Sequence, residues 1–474
     1  MKKVLTYNGK IHIAVSTMIC LLLLISACTM PGGRMYLRQG DEYYKQEEYI
    51  PAIEFYTKTI ELNDRNLAFA LANRALCYNQ TGEYAKAIAD CNRAIEIEPE
   101  LINAFIARAA AHIEMGNYDL AIADCNYVFT LDPKSTQAYI NRAWAYYSMG
   151  LYEESIDDCT KALAINPKLT FAYVNRAKAY NETGIKDKQR YDLAILDCIE
   201  AIKLDPENIS PYINRAWAYL ETGQYDRAMQ DYNKAIEIEP DKRAITYASR
   251  AWGYVKRGEF DLGIADCNRA LEIDPNLTMA YANRAWAYLE KSQYDASQDY
   301  YDLAIADCDK AIKLNPNYIP AYDTRAWAFI YIGAFRLAFI DCNRALEINP
   351  RYMLSYNTRA WAYIGIGEYD LALADCNIAI KENAEFAAPY NTRATVHFTI
   401  KKIDLALADA NKALELDPEL TLAYLTRGKI YIVLDMLDNA EADLRKVLVV
   451  TKDPELIAQA ESLLISIGRP VIPP

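Results

Sequence analysis

Residues 214–219 read Asn214-Arg215-Ala216-Trp217-Ala218-Tyr219, and nearly the same six return as residues 141–146, 283–288, 324–329 and 358–363. About fourteen residues after each Arg stands a second motif of the type Ala-Ile-Ala-Asp-Cys, as at residues 121–125, and about nine residues later a Pro. Aligned on that residue the chain gives Pro99, Pro133, Pro167, Pro206, Pro240, Pro275, Pro316, Pro350 and Pro418, with Ala384 in the one skipped place. The intervals are 34, 34, 39, 34, 35, 41 and 34, and Ala384 has 34 residues on either side. A block copied at such a period is one supersecondary unit that contacts only its neighbours.

The unit is legible from residue preferences. Residues 137–149 favour helix, Gly150 ends the run at a C′ position, and residues 152–165 form a second helix stopped by Asn166-Pro167. Each repeat is therefore a helical hairpin, helix A then helix B. Ala at repeat positions 8, 20 and 27, such as Ala143, Ala121 and Ala162, lets the helix axes approach closely. The 34-residue period, with large residue, small residue, Gly, Tyr, Ala and Pro at fixed offsets, resembles the tetratricopeptide repeat. The resemblance covers residues 33–453. It implies an all-α fold, a right-handed superhelical solenoid of about twelve helical hairpins whose helix A surfaces line a concave groove. Residues 454–467 read as a capping helix and 468–474 as an extended tail. Residues 33–67, the first repeat, are atypical, as a terminal unit should be. Additions at 185–190 and 293–301 fall in the turn between the helices of repeats 5 and 8, where insertion is cheap.

The formal charge is −13. The first 27 residues carry Lys2, Lys3 and Lys10 and no acid, so without them the charge is −16, which disfavours binding of nucleic acid. Those lysines, the short apolar run at 11–25 and the small residues after it form an export signal, residues 1–27. Its end, Ile25-Ser26-Ala27-Cys28, resembles the lipobox of bacterial lipoproteins. That resemblance implies that Cys28 is diacylated and becomes the new N-terminus, anchoring the chain in the cell envelope. Residues 28–32 then form the tether. Thr29 after the lipidated Cys, rather than Asp, favours the outer membrane by enterobacterial sorting.

Position 7 of helix A is Arg in eleven repeats and position 23 of helix B is Asp in the same eleven, while repeat 1 has Gln39 and Phe55 and lacks both at once. Joint presence and joint loss predict a bidentate ion pair within each hairpin: Arg142 with Asp158, Arg215 with Asp231, Arg284 with Asp307. Eight Cys at position 24 read as buried, unpaired thiols, because equivalent atoms on stacked helices lie about 8–10 Å apart, beyond disulfide reach. No catalytic constellation, metal-ligand cluster or phosphate-binding loop is visible, and no cofactor or metal is expected.

All six Trp, namely Trp144, Trp217, Trp252, Trp286, Trp327 and Trp361, occupy position 9 of helix A. At ~100° per residue, positions 4, 7, 8 and 11 share one side, and positions 2, 5, 9, 12 and 13 share the other, the expected groove side. Repeats 6 to 10 thus place five indoles in a row, with Ile140, Ile213, Val255 and Leu289 beside the row and Asp323, Asn357 and Asn391 as its polar rim. Two readings stay open: the indoles lie flat over the next helix A, or they face a ligand.

The leading expectation is a non-enzymatic, membrane-anchored scaffold that binds protein or an extended peptide in the groove, possibly within the assembly of envelope complexes. The alternative is a glycan- or peptidoglycan-binding lipoprotein in which the Trp row stacks on sugar rings and the three polar residues bond hydroxyls. Asn-Arg paired with Asp also resembles the carboxylate-clamp subgroup of the repeat family. Ile106 and Leu37 stand where its first Lys would be, so no grip on a C-terminal carboxylate follows by that route.

Overall fold

The computed structural model describes residues 32–62, 65–184, 187–240, 243–294, 299–451 and 453–471. Cys28 and the export signal lie outside the described residues, as do residues 472–474 and parts of both turn insertions. Through the described residues run helices α1 (Gly32–Lys45) to α25 (Pro454–Ser466), with no strand among them. Odd-numbered helices are helix A of successive repeats, and even-numbered ones are helix B, ending at α24 (Leu437–Val450). The fold is an all-α solenoid of twelve hairpins followed by a further helix.

Repeat 4 shows the local causes. Ser135 precedes α7 (Thr136–Ser148), and its side chain accepts the N–H of Ala138, satisfying one of the donors a helix start leaves open. Gly150 follows in the left-handed region at φ 77°, which an L side chain enters only at a cost, and turns the chain into α8 (Tyr152–Ile165). Asn166 is extended at the end of α8, as the residue before a proline must tend to be.

Two compact units divide the chain, residues 1–218 and 219–474. In the first unit helix A packs on its own helix B and also on the next helix A through repeats 1 to 5, as α3 (Leu67–Gln80) does on α5 (Ile102–Glu114). In the second unit the same holds for α15 (Thr278–Ser292), α17 (Ile319–Tyr331) and α19 (Met353–Ile366). Among the described residues successive B helices do not pack on one another in this way. Within each unit the A helices therefore crowd the inner side of a curve and form its concave face.

The core is built from small side chains. Ala121, Ala143 and Ala162 are fully buried, as are the eight position-24 Cys and Cys77, and no disulfide joins these Cys among the described residues. Burial pushes the Cys91, Cys125 and Cys267 thiols up to about 12, so they behave as small apolar groups. In two hairpins where position 24 is larger, position 8 opposite it is Gly. A Cβ built on Gly40 would stand 2.6 Å from the Tyr56 ring, and one on Gly428 would stand 3.1 Å from Leu444. At the far end α25 buries Ala460 and Leu464 against Leu425, Leu444 and Val447. The residues after it are tied back by Arg445, which donates to the Pro470 carbonyl at 3.2 Å, and by Arg469 on Glu441 at 3.0 Å.

Candidate functional site

The ion pairs come first because they fix helix A against helix B. Arg142 donates through Nε and Nη2 to both oxygens of Asp158, each at 2.7 Å, and Arg284 does the same to Asp307 across the insertion of repeat 8. Ten such pairs form within the two units. Arg215 belongs to the first unit and Asp231 to the second. The fork has a third use that covariation within one repeat did not reveal. Nη1 of Arg142 reaches Asn126 and Nη1 of Arg284 reaches Asn268, each in helix B of the preceding repeat. One guanidinium thus joins three helices. These charges are spent inside the array, and a ligand has little access to them.

The Trp side chains are placed differently. None is buried: Trp217 is 40% exposed, and Trp144, Trp252, Trp286, Trp327 and Trp361 are half-buried. In the first unit Trp144 stacks on Tyr147 at 5.3 Å, and the Lys178 ammonium stands 4.6 Å above the Trp144 ring. In the second unit Lys256 takes the same place over Trp252, at 4.8 Å. Trp286 and Trp327 pack against Ala285, Leu289, Ala304, Cys308 and Ala328. Trp327 leans onto Tyr331 at 6.0 Å and onto Trp361 at 6.5 Å. Trp144, Trp286 and Trp327 therefore do part of both things expected of them: each packs against neighbouring side chains and leaves part of its ring open.

The polar rim is a correction. Asp323, Asn357 and Asn391 are buried, at 7%, 6% and 3% exposure, and do not face the groove. Asp323 accepts hydrogen bonds from Ser355 at 3.0 Å and Thr358 at 2.9 Å, and Asn357 accepts one from Thr392 at 2.8 Å. Val255 and Leu289 are buried as well. The physical reason is that helix A in a stack has neighbours on three sides, so positions 5 and 12, which a lone helical wheel places beside position 9, turn against the next helix A. Burial pushes the Asp323 carboxyl up to about 6, against the two hydroxyl hydrogen bonds that hold it down.

What remains for the groove is a narrower stripe, positions 2, 9 and 13. Position 2 supplies exposed apolar side chains, Phe69 and Phe171 in the first unit and Ile245, Leu354 and Leu422 in the second. Position 13, one helical turn beyond the Trp, supplies Glu182 in the first unit and Glu221, Lys256, Glu290 and Tyr331 in the second. The helical angle of position 13 places it on the groove side, and its residues follow no consensus that would mark them in the sequence. Burial raises the Glu290 carboxyl, as does the charge of Asp453, while Lys256 and a hydrogen bond from the Trp286 indole lower it. Burial likewise raises Glu221, against Lys256. Tyr331 is 47% exposed, yet surrounding protein and the charges of Glu290, Asp453 and Glu455 suppress its ionisation. That combination describes a side chain open to water with protein on several sides of it.

Among the described residues no group of three or more His, Cys, Asp or Glu could hold a metal ion, and no helix is long and apolar enough to cross a membrane. His112 and His397 lie on helix A with their pKa lowered by burial. A cavity of about 580 Å³ opens beside the insertion of repeat 5, lined by Glu153, Tyr180 and Leu193, with Arg190 held on Glu153 at 2.8 Å.

Comparison with known proteins agrees with this architecture. Family profiles described as tetratricopeptide repeat match residues 33–66, 68–101, 136–169, 210–242, 267–299 and 387–420. Human serine/threonine-protein phosphatase 5 is 40% identical over 70 residues, 15% of this chain and 14% of that protein. Hsp70-Hsp90 organizing protein 3 of Arabidopsis thaliana is 39% identical over 67 residues, 14% of this chain and 12% of that one. The chain thus spans only a small part of the length of these relatives. Among solved structures, IFIT1 with Gppp-AAAA aligns over 81% of this chain and 90% of that one, with a TM-score of 0.51 at 15% identity. A tetratricopeptide repeat protein from Parabacteroides merdae aligns over 54% of this chain and 98% of its own, with a TM-score of 0.43 at 20% identity.

Proposed function

Starting from a chain of tetratricopeptide repeats, we propose a non-enzymatic scaffold whose helix A face binds an extended segment of another protein. The carrying observation is the stripe of positions 2, 9 and 13, where half-open Trp alternate with exposed Phe, Ile and Leu on a chain whose charge is otherwise strongly negative. An apolar stripe rimmed by charge is the form a helix-lined groove takes when it anchors peptide side chains. The glycan reading keeps the Trp row and loses its hydrogen-bonding groups. The groups assigned to hydroxyls, Asp323, Asn357 and Asn391, are buried among the helices.

We further infer that the array is held at a membrane of the bacterial cell envelope through lipidated Cys28, in the service of envelope assembly. The order of Lys2, Lys3 and Lys10, the apolar run and Ser26-Ala27-Cys28 supports this reading. Cys28→Ala should move the protein from the membrane fraction to the soluble fraction, and unchanged partitioning of a normally processed variant refutes the anchor. The scaffold reading is tested by crosslinked pull-down of wild type against Trp286→Ala plus Trp327→Ala. Discrete proteins should be captured by wild type and lost from the variant. Equal capture removes the Trp row from the binding surface.

A further inference from the structure

The first repeat breaks the chemistry of the groove stripe. Its positions 2, 9 and 13 are Arg34, Asp41 and Lys45, where other repeats place residues such as Phe69, Trp144 and Tyr331, and its position 6 is Arg38. At ~100° per residue Arg34, Arg38 and Lys45 fall within about 40° of one another, on one face of α1 about 16 Å long. All three side chains are exposed, and none has an ion pair or hydrogen bond among the described residues. By contrast Arg74, in the next helix A, is held on Asp90 at 2.7 Å. The one acid of α1 that lies among the three is already engaged. Asp41 accepts the Tyr56 hydroxyl at 2.8 Å and the Asn73 side-chain N–H at 3.0 Å through Oδ1. Glu42 is exposed about 80° to the side of Arg34. On α2 (Tyr49–Glu61) the Lys58 ammonium lies over the Phe55 ring at 4.8 Å.

Exposed cations are common on any surface, and it is their place that gives these three a use. α1 starts at Gly32, and residues 28–31 can span at most about 14 Å. With Cys28 acylated, the start of α1 stays within that reach of the lipid, close to the range of about 8 Å over which surface charge acts at physiological ionic strength. Repeats 2 and 3, with Leu76 and Ala110 at position 9, separate this face from Trp144, so it stands apart from the aromatic stretch of the groove. A chain of net charge −13 is otherwise repelled by anionic lipid, and one basic face beside the anchor decides which way the array turns.

We propose that the basic face of α1, formed by Arg34, Arg38 and Lys45, docks on the anionic headgroups of the bilayer that holds Cys28 and lays the first repeat against the membrane. The inference rests on the lipid-anchor reading and adds the surface by which the anchored array is oriented. Acyl chains supply the affinity, and the basic face supplies the preference for anionic lipid.

The lipidated full chain, reconstituted into phosphatidylcholine vesicles with and without phosphatidylglycerol, tests it through acetylation of Lys45 by an amine-reactive ester, followed by mass spectrometry. Lys45 should react about tenfold more slowly when phosphatidylglycerol is present, and high salt should restore its reactivity. Lys134, exposed in the turn between repeats 3 and 4, should react alike on both vesicles. Arg34→Gln plus Arg38→Gln should erase the difference at Lys45, and Arg38→Glu serves as second variant if the pair melts early by circular dichroism. Equal reactivity of Lys45 on both vesicles, with the chain still co-sedimenting, overturns the docking and leaves the anchor standing. A chain that co-sediments with neither vesicle overturns both. Protection of Lys45 by polyglutamate in detergent, without protection by phosphatidylglycerol, assigns the face to an acidic protein segment and overturns the proposal as well.

Discussion

Asp323 is a carboxylate where most other repeats place an aliphatic side chain, and no cation accompanies it. Its two partners are hydroxyls, Ser355 and Thr358, and the titratable groups that feel its charge are the Cys342 thiol and the Tyr352 phenol. With the folded pKa raised to about 6, above the unfolded value, the folded state binds more protons between the two values. Stability contributed by this site is therefore greatest below the unfolded pKa and is lost as pH rises through about 6, by up to about 3 kcal/mol. Asp323→Asn gives repeat 9 the residue that repeat 10 has in Asn357. It should raise the melting temperature at pH 7.5 and change it little at pH 4. A variant less stable than wild type at pH 7.5 contradicts the unpaired, buried carboxylate. This residue also shows where the sequence misleads. Its helical angle is the same whether position 5 meets solvent or the next helix, and only the stack decides. Arg142 and Asp158 were readable because paired charges leave a joint trace in every repeat. A residue that reaches forward to a hydroxyl leaves none within its own unit.

At the scale of the element, the hairpin was legible almost to the residue, because Gly150, Asn166 and Pro167 impose backbone conformations that no packing has to supply. Less legible was the compensation between positions 8 and 24, since it is a matter of volume rather than of pattern. Gly40 opposes Tyr56, where eight other hairpins oppose Ala to Cys. Gly40→Ala should cost about 1–3 kcal/mol by overpacking the ring. In a Tyr56→Cys background the same change should instead stabilise by about 1 kcal/mol, the ordinary preference for Ala over Gly in a helix. A double-mutant cycle by urea denaturation measures both, and an effect of the same sign in the two backgrounds refutes the compensation. Position 13 lay between these cases. Its place in the groove follows from the wheel, while its residues vary from repeat to repeat and so leave no pattern of their own.

At the scale of the whole molecule, the repeats set the fold and leave function to the few positions that escape packing. Ion pairs, Cys and most Ala are consumed in holding hairpins together, and the stripe of positions 2, 9 and 13 is what the concave face has left. The central claim is that ligand is taken on this face rather than on the outer helices. Two residues of the second unit make a matched pair for testing it. Tyr331 on α17 is 47% exposed, and Leu337 on α18 (Phe335–Ile348) is 46% exposed. They differ in face and hardly in accessibility. Photo-crosslinking in cells, with p-benzoylphenylalanine placed at 331 in one protein and at 337 in another, should give discrete protein adducts from 331 and none from 337. Adducts from 337 alone would contradict a partner seated in the groove.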